Sequence, residues 1–218
     1  YAELSCYISG TNGPGGGTLN KENKNTLRLF QCDYNRDIEE MFAQTLTEKE
    51  TVRLFFINEN QAFTDGRNIV VDPAKDELFA DTQALINTEK FMNLPAAFSS
   101  DPWYALRIIT RAQNIHECLH ILYTDFPCAA VKDKRCSTRA KIKTMSLISN
   151  IIEDAYIEAA GCSVFDNLEL FLKFGRVSRL FANNPSAGTV TRAFEKKGSG
   201  KGTDIIPLIL YLDYMAVF

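Results

Sequence analysis

His116-Glu117-Cys118-Leu119-His120 decides how this chain is read. These residues contain both of its histidines, four positions apart, with a glutamate directly after the first. Residues at that step project from one face of an α-helix, so the two imidazoles can hold one metal ion while Glu117 stands beside it as a general base. In a loop the same letters would carry no such meaning, so the flanks matter.

They read as helix. Asp101-Pro102 supplies an N-cap followed by proline in the first turn, and Ala105, Ile109, Ala112, His116, Leu119, His120 and Tyr123 then recur at three- and four-residue steps. Phe126-Pro127 closes the segment. The spacing predicts a helix from about Asp101 to about Thr124 with both histidines on its apolar, inward face. A core helix carrying two satisfied histidines is the plainer reading, but it gives the glutamate no reason to follow the first of them.

A catalytic zinc takes three protein ligands and leaves the fourth position open. With no third histidine in the chain, the remaining ligand must be a carboxylate or a thiolate. The metzincin extension is excluded, because Tyr123 and Phe126 stand where it needs glycine and histidine. The best carboxylates lie in Asn150-Ile151-Ile152-Glu153-Asp154-Ala155-Tyr156-Ile157-Glu158, inside a second apolar-periodic segment that begins after Ser137 and stops at Gly161. Acids within an apolar helix are costly to bury unless something pairs with them, and a metal held by imidazoles would do so. Glu153 is the chosen third ligand, since its longer side chain can reach across from a neighbouring helix, with Asp154 as its competitor. Asn150, Asp154 and Glu158 fall at four-residue steps on one face, where they can form an outer shell that accepts the free ring N–H of a ligand histidine. A solvated acidic face with no metal role is the alternative.

His116 to His120 with a downstream Glu153 on a separate helix resembles the gluzincin branch of the zincin metallopeptidases, in which two histidines and a glutamate hold zinc. More narrowly, the runs His-Glu-Cys-Leu-His-Ile-Leu-Tyr-Thr-Asp-Phe and Asn-Ile-Ile-Glu-Asp-Ala-Tyr-Ile-Glu are similar to the metallopeptidase-like domains that precede von Willebrand type A domains in bacterial proteins working alongside MoxR-type AAA+ ATPases. The likeness covers about Asn114 to Glu158. It implies a Zn2+ cofactor, a peptide or protein substrate, and a von Willebrand type A domain and an AAA+ ATPase as partners. The chain departs from the gluzincin pattern at Ile157, where an aspartate commonly stands four residues after the ligand glutamate. Glu158 or Asp154 would then take that supporting role, or Asp154 is itself the ligand.

Upstream, Thr51 to Asn58 and Asn68 to Asp72 are rich in β-branched and aromatic residues, with a turn signal at Thr64-Asp65-Gly66-Arg67 between them, and read as a β-hairpin. By resemblance, one of these strands would pair with an extended substrate. Helical periodicity extends from Asp33 to about Glu48, from Asp76 to about Phe91 and from Val164 to about Phe181. Phe165, Phe171, Phe174 and Phe181 read as core packing. Tyr123 and Tyr156 lie near the expected metal in sequence, and Tyr156 is the candidate for stabilising a tetrahedral oxyanion. The fold class expected is α+β, a mostly helical zincin-like domain with a small mixed β-sheet packed over the active-site helix.

Two glycine-rich stretches read as loops. Gly198-Ser199-Gly200-Lys201-Gly202-Thr203 lacks the phosphate-loop spacing and has Gly202 where serine or threonine should follow the lysine, and Gly13 to Gly17 fares no better. At 218 residues, 45% hydrophobic and a formal charge of −3, the chain can bury the core of one domain and shows no electrostatic preference for nucleic acid or membrane. It opens on Tyr1 and stops inside the apolar run Ile205 to Phe218, as a piece of something longer would. Its six cysteines lack the spacing of a secreted disulfide scaffold, which favours a reduced, cytoplasmic protein.

The expected function is therefore a zinc-dependent peptidase with Glu117 as general base. A metallopeptidase-like binding module that keeps zinc for structure within an ATPase and von Willebrand type A assembly is the rival. A non-peptidase zinc hydrolase is a third reading, because the motif specifies an activated water rather than a substrate.

Overall fold

The computed structural model describes residues 19–126 and 138–182. Helix α1, Lys21–Phe30, is capped by Asn20, whose side chain accepts from the Asn23 N–H at 2.7 Å. Helix α2, Asp33–Thr47, ends on a left-handed Glu48 at φ 55°. Three short strands follow: β1, Arg53–Phe56; β2, Phe63–Thr64; and β3, Asn68–Val71.

Their pairing corrects the expected hairpin. The sheet order is β1-β3-β2, with β1 parallel to β3 (Leu54 opposite Ile69) and β2 antiparallel to it (Thr64 opposite Ile69). The turn is where the sequence puts it. Asp65 Oδ1 accepts from the N–H groups of Arg67 at 2.9 Å and Asn68 at 2.7 Å, and Gly66 takes φ 94°. It joins β3 to the two-residue β2, and β1 reaches the other side of β3 by crossing over, so the sheet is mixed.

Residues Lys75–Ala80 form a 3₁₀ segment broken by left-handed Asp76 and Glu77, and α3 runs over Thr82–Phe91. The single helix expected from Asp76 is therefore split, since two consecutive positive-φ residues cannot continue a right-handed helix.

Helix α4, Pro102–Tyr123, starts where its cap predicts, with Asp101 Oδ1 accepting from the Trp103 N–H at 2.8 Å. Helix α5, Arg139–Val164, runs through Gly161 rather than stopping there, and α6 spans Leu168–Ala182. Gly161 serves a close crossing, because a Cβ there would lie 2.4 Å from Cδ2 of the buried Leu119.

Helix α4 is the axis of the molecule. It contributes Leu106 and Ile109 to a cluster with Phe30, Phe79 and Phe174, then Cys118 and Ile121 to a cluster with Leu54, Ile69 and Val71 under the sheet. Ile115 and Leu119 join a third cluster with Ile157 and Leu172. The fold is thus α+β, mostly helical, with a small mixed sheet packed on the helix that carries the histidines. Phe174 is fully buried and packs against Phe98, ring centres 4.8 Å apart and planes tilted by 60°, while Phe165 and Phe171 pack at the edges of these clusters.

No helix among the described residues is long and apolar enough to cross a membrane, and Cys32, Cys118 and Cys162 are free. The two glycine-rich stretches, the Ile205 to Phe218 run, Cys128 and Cys136 lie outside the described residues.

Candidate metal centre

His116 and His120 project from one side of α4, their rings 4.9 Å apart and nearly perpendicular. Across from them stands α5. On that helix Asp154, Ile157, Glu158 and Gly161 form the inward stripe, all four buried, which follows from their i, i+3, i+4, i+7 spacing. Ile157 and Gly161 pack on α4 through Leu119, and this packing carries Asp154 and Glu158 to the imidazoles.

His116, His120 and Asp154 make the group that can hold a metal ion, one ligand atom from each lying within 4.8 Å of the others. Asp154 Oδ1 is 3.3 Å from Nε2 of His120 and 3.7 Å from Nε2 of His116. Ligand atoms around a tetrahedral zinc with bonds of about 2.0–2.1 Å sit roughly 3.3 Å apart, so the spacing suits such an ion. The outer nitrogens are occupied: Nδ1 of His116 lies 2.7 Å from Glu158 Oε1 and Nδ1 of His120 lies 2.8 Å from Thr124 Oγ1. An ionised carboxylate only accepts, so His116 donates from Nδ1 to Glu158, which leaves Nε2 as the nitrogen that faces Asp154 and would bind a metal on losing its proton.

The decisive atom is Asp154 Oδ1, buried and with no well-formed hydrogen bond, its close polar neighbours being Nε2 of His120 and of His116. A buried orphan carboxylate oxygen facing two imidazole nitrogens is costly unless a cation sits among them. Its companion Oδ2 accepts from Asn150 Nδ2 at 3.0 Å and lies 4.0 Å from the Arg176 guanidinium. The donor set, two imidazoles and one carboxylate, fits zinc.

Electrostatics agree. Burial works to lower His116, but Asp154, Glu158 and Glu117 overcome it and raise its pKa to about 9. Burial works to raise Glu158, but the His116 hydrogen bond and Arg176 bring it down to about 2, and Asp154 is likewise lowered against its burial by His116, His120 and Arg176. The site attracts positive charge, whether proton or metal supplies it. Glu117 is buried beside this group, and desolvation pushes its carboxyl up although His116, His120 and Lys75 pull the other way.

The structure thus brings together His116, Glu117, His120, Asn150, Asp154 and Glu158, and leaves others out. Glu153 is not in the group that could hold a metal; it lies about 100° around α5 from Asp154, which is the acid that stands with the two histidines. Tyr156 is 63% exposed on the far side of α5, and Tyr123 packs against the third core cluster, so the oxyanion role expected of Tyr156 has no geometric basis. Sequence reading missed Thr124, whose i+4 spacing from His120 was visible. It also missed Arg176, which reaches Glu158 at 2.7 Å from another helix and left no local signal.

Comparison with protein-family models, curated proteins and solved structures finds no match for the chain.

Proposed function

We propose that this chain is a zinc-dependent peptidase that holds its metal through His116, His120 and Asp154 and uses Glu117 as general base. The observation that carries the reading is the orphaned Asp154 Oδ1 facing two imidazole nitrogens, with a buried glutamate of raised pKa next to the first histidine. Zinc, when bound, would polarise the scissile carbonyl and lower the pKa of the attacking water.

The chain's own residues do the rest. Glu117 takes the proton of that water and delivers it to the leaving amine, a task that suits a carboxyl whose pKa is raised toward the working range. Glu158 and Thr124 keep the imidazoles turned so that Nε2 faces inward, while Asn150 and Arg176 hold the far oxygen of Asp154. The outer edge of β1 is taken, since Glu40 accepts from the Leu54 N–H at 3.0 Å and Gln44 donates to the Val52 carbonyl at 3.0 Å. Strand β2 pairs only with β3 among the described residues, which makes it the edge for an extended peptide.

Elemental mass spectrometry on purified protein tests the site. We expect about one zinc per chain in the wild type and in Glu153→Ala, and none in His116→Ala or Asp154→Ala. Glu117→Gln should keep its zinc and lose at least about 100-fold in cleavage of a peptide library. Wild type that cannot be loaded with zinc would sink the reading.

A further inference from the structure

Helix α5 has two apolar faces, and the fold uses one of them. Its inward stripe carries Asp154, Ile157, Glu158 and Gly161 toward α4, while on the opposite side Met145, Ile148, Ile152 and Tyr156 stand 50%, 46%, 64% and 63% exposed. These four recur at three- and four-residue steps, so they share one line along the helix, and the exposed Ala159 and Ser163 continue it. Every other helix among the described residues leaves at most two large apolar side chains exposed. Such residues need no explanation when scattered singly, but a contiguous apolar line in water marks a surface that another surface covers.

The spacing of the line shows what fits on it. Ile152 stands at the middle of α5; Ile148 and Tyr156 lie four positions to either side of it, and Met145 and Ala159 seven. A twofold axis through Ile152 therefore sets the helix against an antiparallel copy of itself, with Ile152 on Ile152, Ile148 on Tyr156 of the copy, and the long Met145 over the small Ala159. Charge selects the same direction. The N-terminal half of α5 carries Arg139, Lys141 and Lys143 and no acid, and the C-terminal half carries Glu153, Asp154 and Glu158 and no lysine or arginine. The cations thus stand at the positive end of the helix dipole, and no acid in the first turn offsets them. An antiparallel copy brings its acidic, negative half to them, whereas a parallel copy would set like against like. One helix face is smaller than the roughly 800 Å² per partner of a standard interface, so the expected association is reversible and of about micromolar strength.

We infer that the outer face of α5 is the surface through which two copies of this chain associate, as an antiparallel twofold pair centred on Ile152. Asp154 lies about 200° around the helix from Ile152, so both candidate metal centres face away from the shared helices and stay open. The inference stands apart from the peptidase reading. Sedimentation velocity on the purified chain, at concentrations from below to above the micromolar range, tests it. Wild type should pass from monomer to dimer as concentration rises. Ile152→Glu puts two like charges together on the axis and should weaken the dimer by at least about tenfold. Ile148→Lys and Tyr156→Glu should each weaken it by the same order, and the two combined in one chain should recover most of the loss, because each copy then offers the introduced lysine to the introduced glutamate of the other. All of these positions are exposed, so the helical circular dichroism of each variant should match the wild type. A wild type that stays monomeric at every concentration, a dimer that Ile152→Glu leaves intact, or a double variant no stronger than its singles overturns the inference. Flotation of a monomeric wild type with phosphatidylglycerol vesicles would assign the face to a membrane surface instead, and likewise overturns it.

Discussion

Asp154 uses its two oxygens for different ends: Oδ2 is anchored by Asn150 and lies near Arg176, and Oδ1 is presented bare to His116 and His120. Glu158 does the complementary work one turn later, joining the Nδ1 side of His116 to the Arg176 guanidinium at 2.7 Å each. Replacing it with glutamine removes the anion that fixes the His116 ring, and such outer partners are worth about 10–100-fold in metal affinity, so Glu158→Gln should weaken zinc binding by that order in a competition titration with a chelator. The same residue sets an acid limit in the zinc-free protein. Its folded pKa of about 2 lies below the ordinary 4.5, so its stabilising contribution is complete above the ordinary value and disappears as pH falls toward about 2. Urea unfolding at a series of pH values should show stability falling across that window in the wild type and a flatter profile in Glu158→Gln.

At the scale of elements, the crossing of α4 and α5 sets the site. Gly161 permits it, since any Cβ would press on the side chain of the fully buried Leu119. Gly161→Ala should cost about 1–3 kcal/mol by overpacking and, by moving α5 outward, separate Asp154 from the imidazoles. Denaturant midpoints and zinc affinity should fall together, and Leu119→Ala added to Gly161→Ala should recover part of the affinity. Retained affinity in a destabilised Gly161→Ala would show that the crossing does not position Asp154. Gly161 also explains a misread boundary. Glycine near the end of a periodic run has the signature of a helix stop, and only the neighbouring helix reveals that the missing side chain makes room for Leu119. The sheet shows a similar limit: alternation and the Asp65-Gly66 turn were legible, but which strand the turn joins depends on β1 reaching β3 from the other side.

Across the whole molecule, helix α2 is tied to α4 by a largely buried ion pair between residues far apart in the chain. Arg111 grips Glu39 with Nε at 2.8 Å and Nη2 at 2.9 Å, Asn114 Nδ2 adds a bond to the same carboxylate at 2.9 Å, and the guanidinium lies 3.8 Å from the Phe42 ring centre. Removing one partner leaves a buried charge uncompensated, which costs about 3–5 kcal/mol, whereas removing both costs less. Arg111→Met should therefore lose that order of unfolding free energy, and Glu39→Gln combined with Arg111→Met should recover part of it. Simple additivity in that double-mutant cycle would rule out the clamp.

The sequence alone determined the helix of residues 102–123, its cap at Asp101 and the pairing of two imidazoles with Glu117, because each of these depends on neighbours within a turn or two of one helix. It also narrowed the third ligand to adjacent acids on a second helix. Only the tertiary structure placed Asp154 rather than Glu153 beside the histidines, enlisted Arg176 and turned Tyr156 to solvent. Adjacent helical residues point about 100° apart, so which of them meets the histidines is set by how α5 rolls against α4. That roll is fixed by Ile157 and Gly161 packing around Leu119, a contact between segments about forty residues apart that no local pattern encodes.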